Sequence, residues 1–228
     1  MSTPNIADRF ASVQHRLRSA AEAAGRPVDS IHLLAVSKKK PAAAIRSLAA
    51  LGQRAFGESY VDEALDKIEA LSDLPIQWHF IGPIQSNKTR AIAERFDWVQ
   101  SVDRPKIVRR LADQRPDALG PLDVLIQINL DNEPRKSGCA PEDAAALAEH
   151  IVRCPMLRLR GVMAIPARRE AFSDQVAVVE RLHGIFENLR RQWPAIDTLS
   201  AGMSGDLEAA VAGGSTLVRV GTDLFGPR

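Results

Sequence analysis

Short apolar runs alternate along this chain with longer segments in which apolar residues recur every three or four positions. The first pattern suits strands buried on both faces, and the second suits helices that bury one stripe. The first strand-like run, 31–37, stops abruptly at Lys38, Lys39, Lys40 and Pro41. Seven more follow at 54–58, 76–82, 97–102, 122–130, 157–165, 196–202 and 216–221, of which LDVLIQINL at 122–130 is the most apolar. Helical spacing fills the gaps at 41–51, 60–71, 86–95, 104–115, 142–152, 172–193 and 204–211. Ahead of them Ile6, Phe10, Val13, Leu17 and Ala20 form one stripe of a helix over 4–25, which Gly25 and Pro27 stop.

Eight strands separated by seven helices predict an α/β fold, a single closed (β/α)8 TIM-type barrel spanning residues 1–228, with the extra N-terminal helix covering the remaining position. Closure leaves no free sheet edge, and each crossover has the length that a parallel connection requires. An open doubly wound sheet is the alternative. No linker or compositional break divides the chain.

Composition narrows the function. With 45% hydrophobic and 25% charged residues the chain reads as an ordered globular protein. A net charge of +2 is too small to suggest a nucleic-acid partner. The first ten residues lack a basic start followed by an apolar core, and no apolar stretch approaches the roughly 18 residues that span a bilayer. A cytoplasmic protein with no membrane partner is expected. Cys139 and Cys154 are the only cysteines, so reduced thiols are expected rather than a disulfide framework. The five histidines show no ligand-like clustering, and no metal is indicated.

In barrels the chemistry collects where the strands end, and phosphate sites often use the loops after the last two strands. Lys38 closes the first strand, where an amine could attack a carbonyl. A basic loop tip without covalent role is the plainer reading. After the seventh strand, Gly202-Met203-Ser204-Gly205-Asp206 enters a short helix, and after the eighth comes Gly221-Thr222. Both offer backbone donors and hydroxyls for an anion, although helix capping and turn chemistry also explain them. Arg219, between two valines, either faces the barrel mouth or points outward to a carboxylate. His79 either touches a ligand or serves as a core histidine. Arg135-Lys136-Ser137-Gly138 forms a second basic loop.

Read together, AVSK at 35–38, FGE at 56–58, WHFIGPIQSNK at 78–88, the KSG of 136–138, GVMAIP at 161–166, and GMSGD followed by GGSTLVRVGTDLFG resemble the pyridoxal phosphate homeostasis protein family, also called YggS-like or proline synthase co-transcribed. The motifs run in order over nearly the whole chain. The resemblance implies the fold of the alanine racemase N-terminal barrel, without that enzyme's second, β-rich domain. It implies that Lys38 holds pyridoxal 5'-phosphate (PLP) covalently as a Schiff base. Ser204, Gly221 and Thr222 would bind the phosphate, Arg219 would face the pyridine nitrogen, and His79 and Met203 would line the pocket. Where the family commonly reads GEN, this chain has Gly57-Glu58-Ser59, so a contact made by that asparagine amide is in question.

An arginine opposite the pyridine nitrogen disfavours its protonation and weakens the ring as an electron sink. Tyr60 is the only tyrosine, while racemisation needs a second acid/base. The reading is therefore a monomeric PLP-binding protein of vitamin B6 homeostasis that stores or delivers the cofactor, with apo PLP-dependent enzymes as partners and without robust catalysis. A weak amino-acid racemase or other PLP enzyme is the alternative. A Schiff-base aldolase acting on a sugar phosphate would use the same lysine and loops.

Overall fold

The computed structural model describes residues 5–133 and 136–227; Arg135 of the second basic loop lies outside them. The chain opens with α1 (Ile6–Ala23), started by a capping box in which Asn5 and Asp8 exchange hydrogen bonds. There follow β1 (His32–Val36), α2 (Ala42–Ala50), β2 (Ala55–Glu58), α3 (Val61–Ala70), β3 (Gln77–Phe80), α4 (Thr89–Arg95), β4 (Trp98–Val102) and α5 (Pro105–Gln114). The second half adds β5 (Leu122–Ile128), α6 (Ala144–Val152), β6 (Leu157–Ala164), α7 (Phe172–Gln192), β7 (Thr198–Ser200), α8 (Leu207–Ala212), β8 (Leu217–Val220) and α9 (Thr222–Phe225). Three short 3-10 turns complete the described elements.

The strands pair in parallel in chain order and close β8 onto β1, with Leu34 opposite Arg219. The eight-stranded barrel expected from the sequence is therefore the architecture, and the doubly wound alternative is excluded. The helix α1 fills the extra position, packed against α8, α9 and α2. Apolar helix stripes and outward strand residues form the main core, for example Ile45, Leu48, Phe56, Ile92, Leu111, Val124 and Leu182. Strand ends are shorter than the apolar runs: β7 keeps three residues of the 196–202 run, because the chain must leave the sheet to form loops at the mouth. One element escaped the periodicity, α9, whose four residues are too few to show a helical repeat. Among the described residues no helix is long and apolar enough to cross a membrane.

Candidate functional site

At the C-terminal ends of β1, β7 and β8 the loops surround a cavity of about 240 Å³. Lys38, Met203, Ser204, Arg219, Gly221 and Thr222 all line it, together with Val36, Ser59, Ile81, Gly205 and Ile165. Six of the seven residues singled out from the sequence thus meet at one opening. Ser59, at the position where the family commonly carries asparagine, is on the same wall.

The three lysines diverge because the chain turns sharply after β1. Lys39 takes φ 62, in the left-handed region that costs a residue with a Cβ. Lys38 is half-buried on the cavity wall, whereas Lys39 is exposed with its Nζ 5.9 Å from the Tyr60 ring centre. Lys40 turns the other way and donates to the carbonyls of Phe225, Gly226 and Pro227 at 3.3, 3.1 and 3.0 Å, capping α9.

The turn after β7 depends on Gly202, at φ 90, where a Cβ would come within 2.4 Å of Ala210. Met203 N–H donates to Asp206 Oδ1 at 2.6 Å and holds the turn into α8. The two anion-competent loops are tied together by Arg16 of α1. Its guanidinium bonds Ser204 O at 3.0 Å and Glu208 at 2.7 and 2.8 Å, and it also pairs with Asp223. At Gly221 a Cβ would press on Val36 O at 3.3 Å, so the missing side chain serves the fit of β8 against β1. No periodicity marks Arg16 or Lys40, which act on loops far away in the sequence.

Arg219 points inward. It is 4% exposed, and it donates to Ser200 Oγ at 2.6 Å and Ala164 O at 2.8 Å. Burial pulls its guanidinium down to about 10, opposed by the Asp206 carboxylate, so it stays a cation at neutral pH. His79 differs from its expected place. It is absent from the cavity at the mouth and lines a larger one at the N-terminal strand ends, beside Gln77 and Trp98. Its ring stacks on Trp98, with centroids 5.1 Å apart, and its Nδ1 lies 3.0 Å from Gln100 Nε2. Gln100 Oε1 in turn accepts from Ser200 Oγ at 2.7 Å. Because β4 and β7 are not neighbours, that bond crosses the lumen, and His79 reaches Arg219 through two intermediaries.

A family model for the alanine racemase N-terminal domain matches residues 9–228. The pyridoxal phosphate homeostasis protein of Pseudomonas aeruginosa is 56% identical over 228 residues, covering 100% of this chain and 97% of that one. The chain belongs to the pyridoxal phosphate homeostasis protein family. Another member, from Escherichia coli, is 49% identical over 98% of this chain and 97% of its own. Among solved structures, PipY of Synechococcus elongatus without PLP is 38% identical, with TM-score 0.87, over 97% of this chain and 100% of its own. PipY with PLP bound gives 37% and 0.83 over the same shares. Alanine racemase from Corynebacterium glutamicum, 18% identical with TM-score 0.66, covers 96% of this chain and 61% of its own, and shares the fold. For a homeostasis family member, the mouth cavity offers an amine, hydroxyls and backbone donors of two tight loops, and a buried cation. That is the donor set a phosphorylated aldehyde with a basic ring requires.

Proposed function

We propose that this chain binds pyridoxal 5'-phosphate in the mouth cavity and takes part in intracellular B6 homeostasis, storing or delivering the cofactor without robust turnover of its own. One observation carries the reading: Lys38 from the end of β1 and the loops after β7 and β8 line a single cavity of about 240 Å³. The cofactor, when bound, supplies an aldehyde that condenses with an amine and a ring that can accept electron density. Lys38 Nζ is the covalent Schiff-base anchor. Ser204, Gly221 and Thr222 hold the phosphate, with Met203 on the adjacent wall. Arg219 faces the ring nitrogen as a cation and keeps it unprotonated, which weakens carbanion chemistry. His79 supports Arg219 from within the barrel.

Release is supported by the rim, where Ile165 and Met203 are exposed at 40% and 42% and leave the cavity open to solvent. Apo PLP-dependent enzymes are the proposed recipients, the cytoplasm the proposed compartment and the monomer the proposed state. The deciding experiment traps the lysine bond with borohydride and maps the modified peptide. Label on Lys38 and a yellow protein that Lys38→Ala renders colourless support the reading and exclude the aldolase. Label elsewhere, or a colourless wild type, sinks it. Racemisation of enantiopure amino acids by purified holoprotein would overturn the non-catalytic part.

A further inference from the structure

The segment that carries Lys38 is gripped on one side by buried charge and on the other by a half-buried carboxylate. Lys67 of α3 is 6% exposed, an unusual place for an ammonium group. Its Nζ donates to Ser37 O at 2.9 Å, Glu58 Oε1 at 2.8 Å and Glu63 Oε1 at 2.5 Å, so all three of its hydrogens are committed. Glu58, at the end of β2, is fully buried, and the same Oε1 accepts from Ser37 Oγ at 2.6 Å. Glu63 Oε1 also accepts from the Lys39 backbone N–H at 2.5 Å. The residue before Lys38 is thus held at its carbonyl and hydroxyl, and the residue after it at its amide, where the chain adopts the left-handed conformation of Lys39.

Stability does not account for such an arrangement. A buried ion pair is often no better than apolar side chains of the same volume, because desolvation offsets the attraction. Glu58 Oε2 is buried without a hydrogen-bond partner among the described residues, and burial pushes the Glu58 carboxyl up against the opposing pull of Lys67 and Ser37. The gain lies in geometry. A half-buried lysine on a loop samples many directions, and an amine that must meet a carbonyl benefits from being limited to one.

We propose that Glu58, Lys67 and Glu63 form a clamp of positioning residues that aims Lys38 Nζ into the mouth cavity. This rests on the reading of Lys38 as the cofactor's anchor. Among the described residues the clamp's hydrogen bonds go to Ser37 and Lys39 and to one another, not to the phosphate loops or Arg219, so it acts on the lysine bond alone.

The test compares Glu63→Ala and the charge-free pair Glu58→Gln with Lys67→Met, each made in the wild-type and in the Lys38→Ala background. Glu63 is partly exposed, so its removal leaves the buried Glu58–Lys67 pair intact and the fold secure. In cofactor-free protein, amide exchange at Lys39 should accelerate in Glu63→Ala. With pyridoxal phosphate, borohydride-trapped yield at Lys38 should fall by about tenfold to a hundredfold in both variants. Equilibrium binding in the Lys38→Ala background should be unchanged by either. Unaltered Lys39 exchange, unaltered trapping, or an equal loss of binding with and without Lys38 would overturn the clamp. Absence of Lys38 labelling in the wild type would instead defeat the anchor assignment, with amide exchange still reporting on the grip itself.

Discussion

Arg219 Nη1 donates a 2.6 Å hydrogen bond to Ser200 Oγ, which leaves the serine hydrogen one acceptor, Gln100 Oε1 at 2.7 Å across the lumen. The direction of every further bond follows. Gln100 must turn its amide nitrogen to His79, whose Nδ1 therefore accepts at 3.0 Å, and His79 Nε2 keeps its hydrogen and gives it to Gln77 Oε1, also 3.0 Å away. A permanent cation at one end fixes the tautomer of a histidine at the other.

His79 should consequently be neutral with hydrogen on Nε2, which nitrogen NMR can read directly. Burial pulls the imidazole from its ordinary 6.5 to about 3. The unfolded chain therefore binds a proton below about 6.5 that the folded chain refuses until about 3. Stability is complete above the upper value and falls as pH drops through this window, by up to about 1.4 kcal/mol per pH unit. Urea denaturation of wild type and His79→Gln across this range should show the extra slope in the wild type only. Equal slopes would mean that His79 is protonated in the folded barrel.

Ser200→Ala should destabilise the protein by about 1 to 3 kcal/mol, because it strips a buried guanidinium N–H of its acceptor and leaves Gln100 Oε1 without its donor. The visible band of the bound cofactor should also shift, since Arg219 is then held by Ala164 O alone. Chemical denaturation and absorption spectroscopy check the two parts separately. An unchanged spectrum would show that Arg219 is fixed without Ser200.

Ser204→Ala and Thr222→Ala should each weaken cofactor retention by about 1 to 3 kcal/mol, or roughly 5- to 150-fold, if each hydroxyl gives a hydrogen bond to a phosphate oxygen. Thr222 is exposed, and half-buried Ser204 gives up a long 3.4 Å bond from the Asp223 N–H, so thermal unfolding of the apo protein should move little in either variant. Fluorescence titration with pyridoxal phosphate measures the effect. Full affinity in both variants would put the phosphate elsewhere.

The sequence made the barrel legible because burial on both faces gives each parallel strand an unbroken apolar run, as 122–130 shows most plainly. The ends of β1, β7 and β8 were legible because glycine, serine, threonine and lysine interrupt those runs at the mouth. What holds the ends was not. Arg16, Lys40 and Lys67 look like ordinary polar-face or loop cations; Arg16 and Lys40 reach partners 192 and 185 residues away, and Lys67, besides its near partners Glu58 and Glu63, reaches Ser37 O 30 residues away. For His79 the residue itself leaves a ligand contact and a core histidine open, and the resemblance implies the pocket wall. The buried place beside Gln77 and Trp98 is the core alternative, which the sequence alone does not select because the lumen has a polar floor as well as a mouth. The different fates of Lys38, Lys39 and Lys40 hinge on one left-handed residue, a conformation that lysine does not advertise.

Arg16 offers the sharpest separation of holding the phosphate from holding the lysine bond. Its guanidinium bonds both the loop after β7, at Ser204 O, and the segment after β8, at Asp223, and so reinforces the 3.4 Å bond from the Asp223 N–H to Ser204 Oγ. Its ion pairs are partly exposed, with 29% of the Arg16 side chain accessible, so solvent screening limits their worth to about 1 kcal/mol or less each. Arg16→Met should thus lower the unfolding temperature only slightly while letting the two loops move apart, and cofactor retention should fall more than stability does. Borohydride label should still map to Lys38, at lower occupancy. Arg46→Met removes a comparable ion pair with Asp73 on the outer surface and should leave retention untouched. Equal losses of retention in the two variants would show that general charge, and not the tie between the loops, governs how tightly the cofactor is kept.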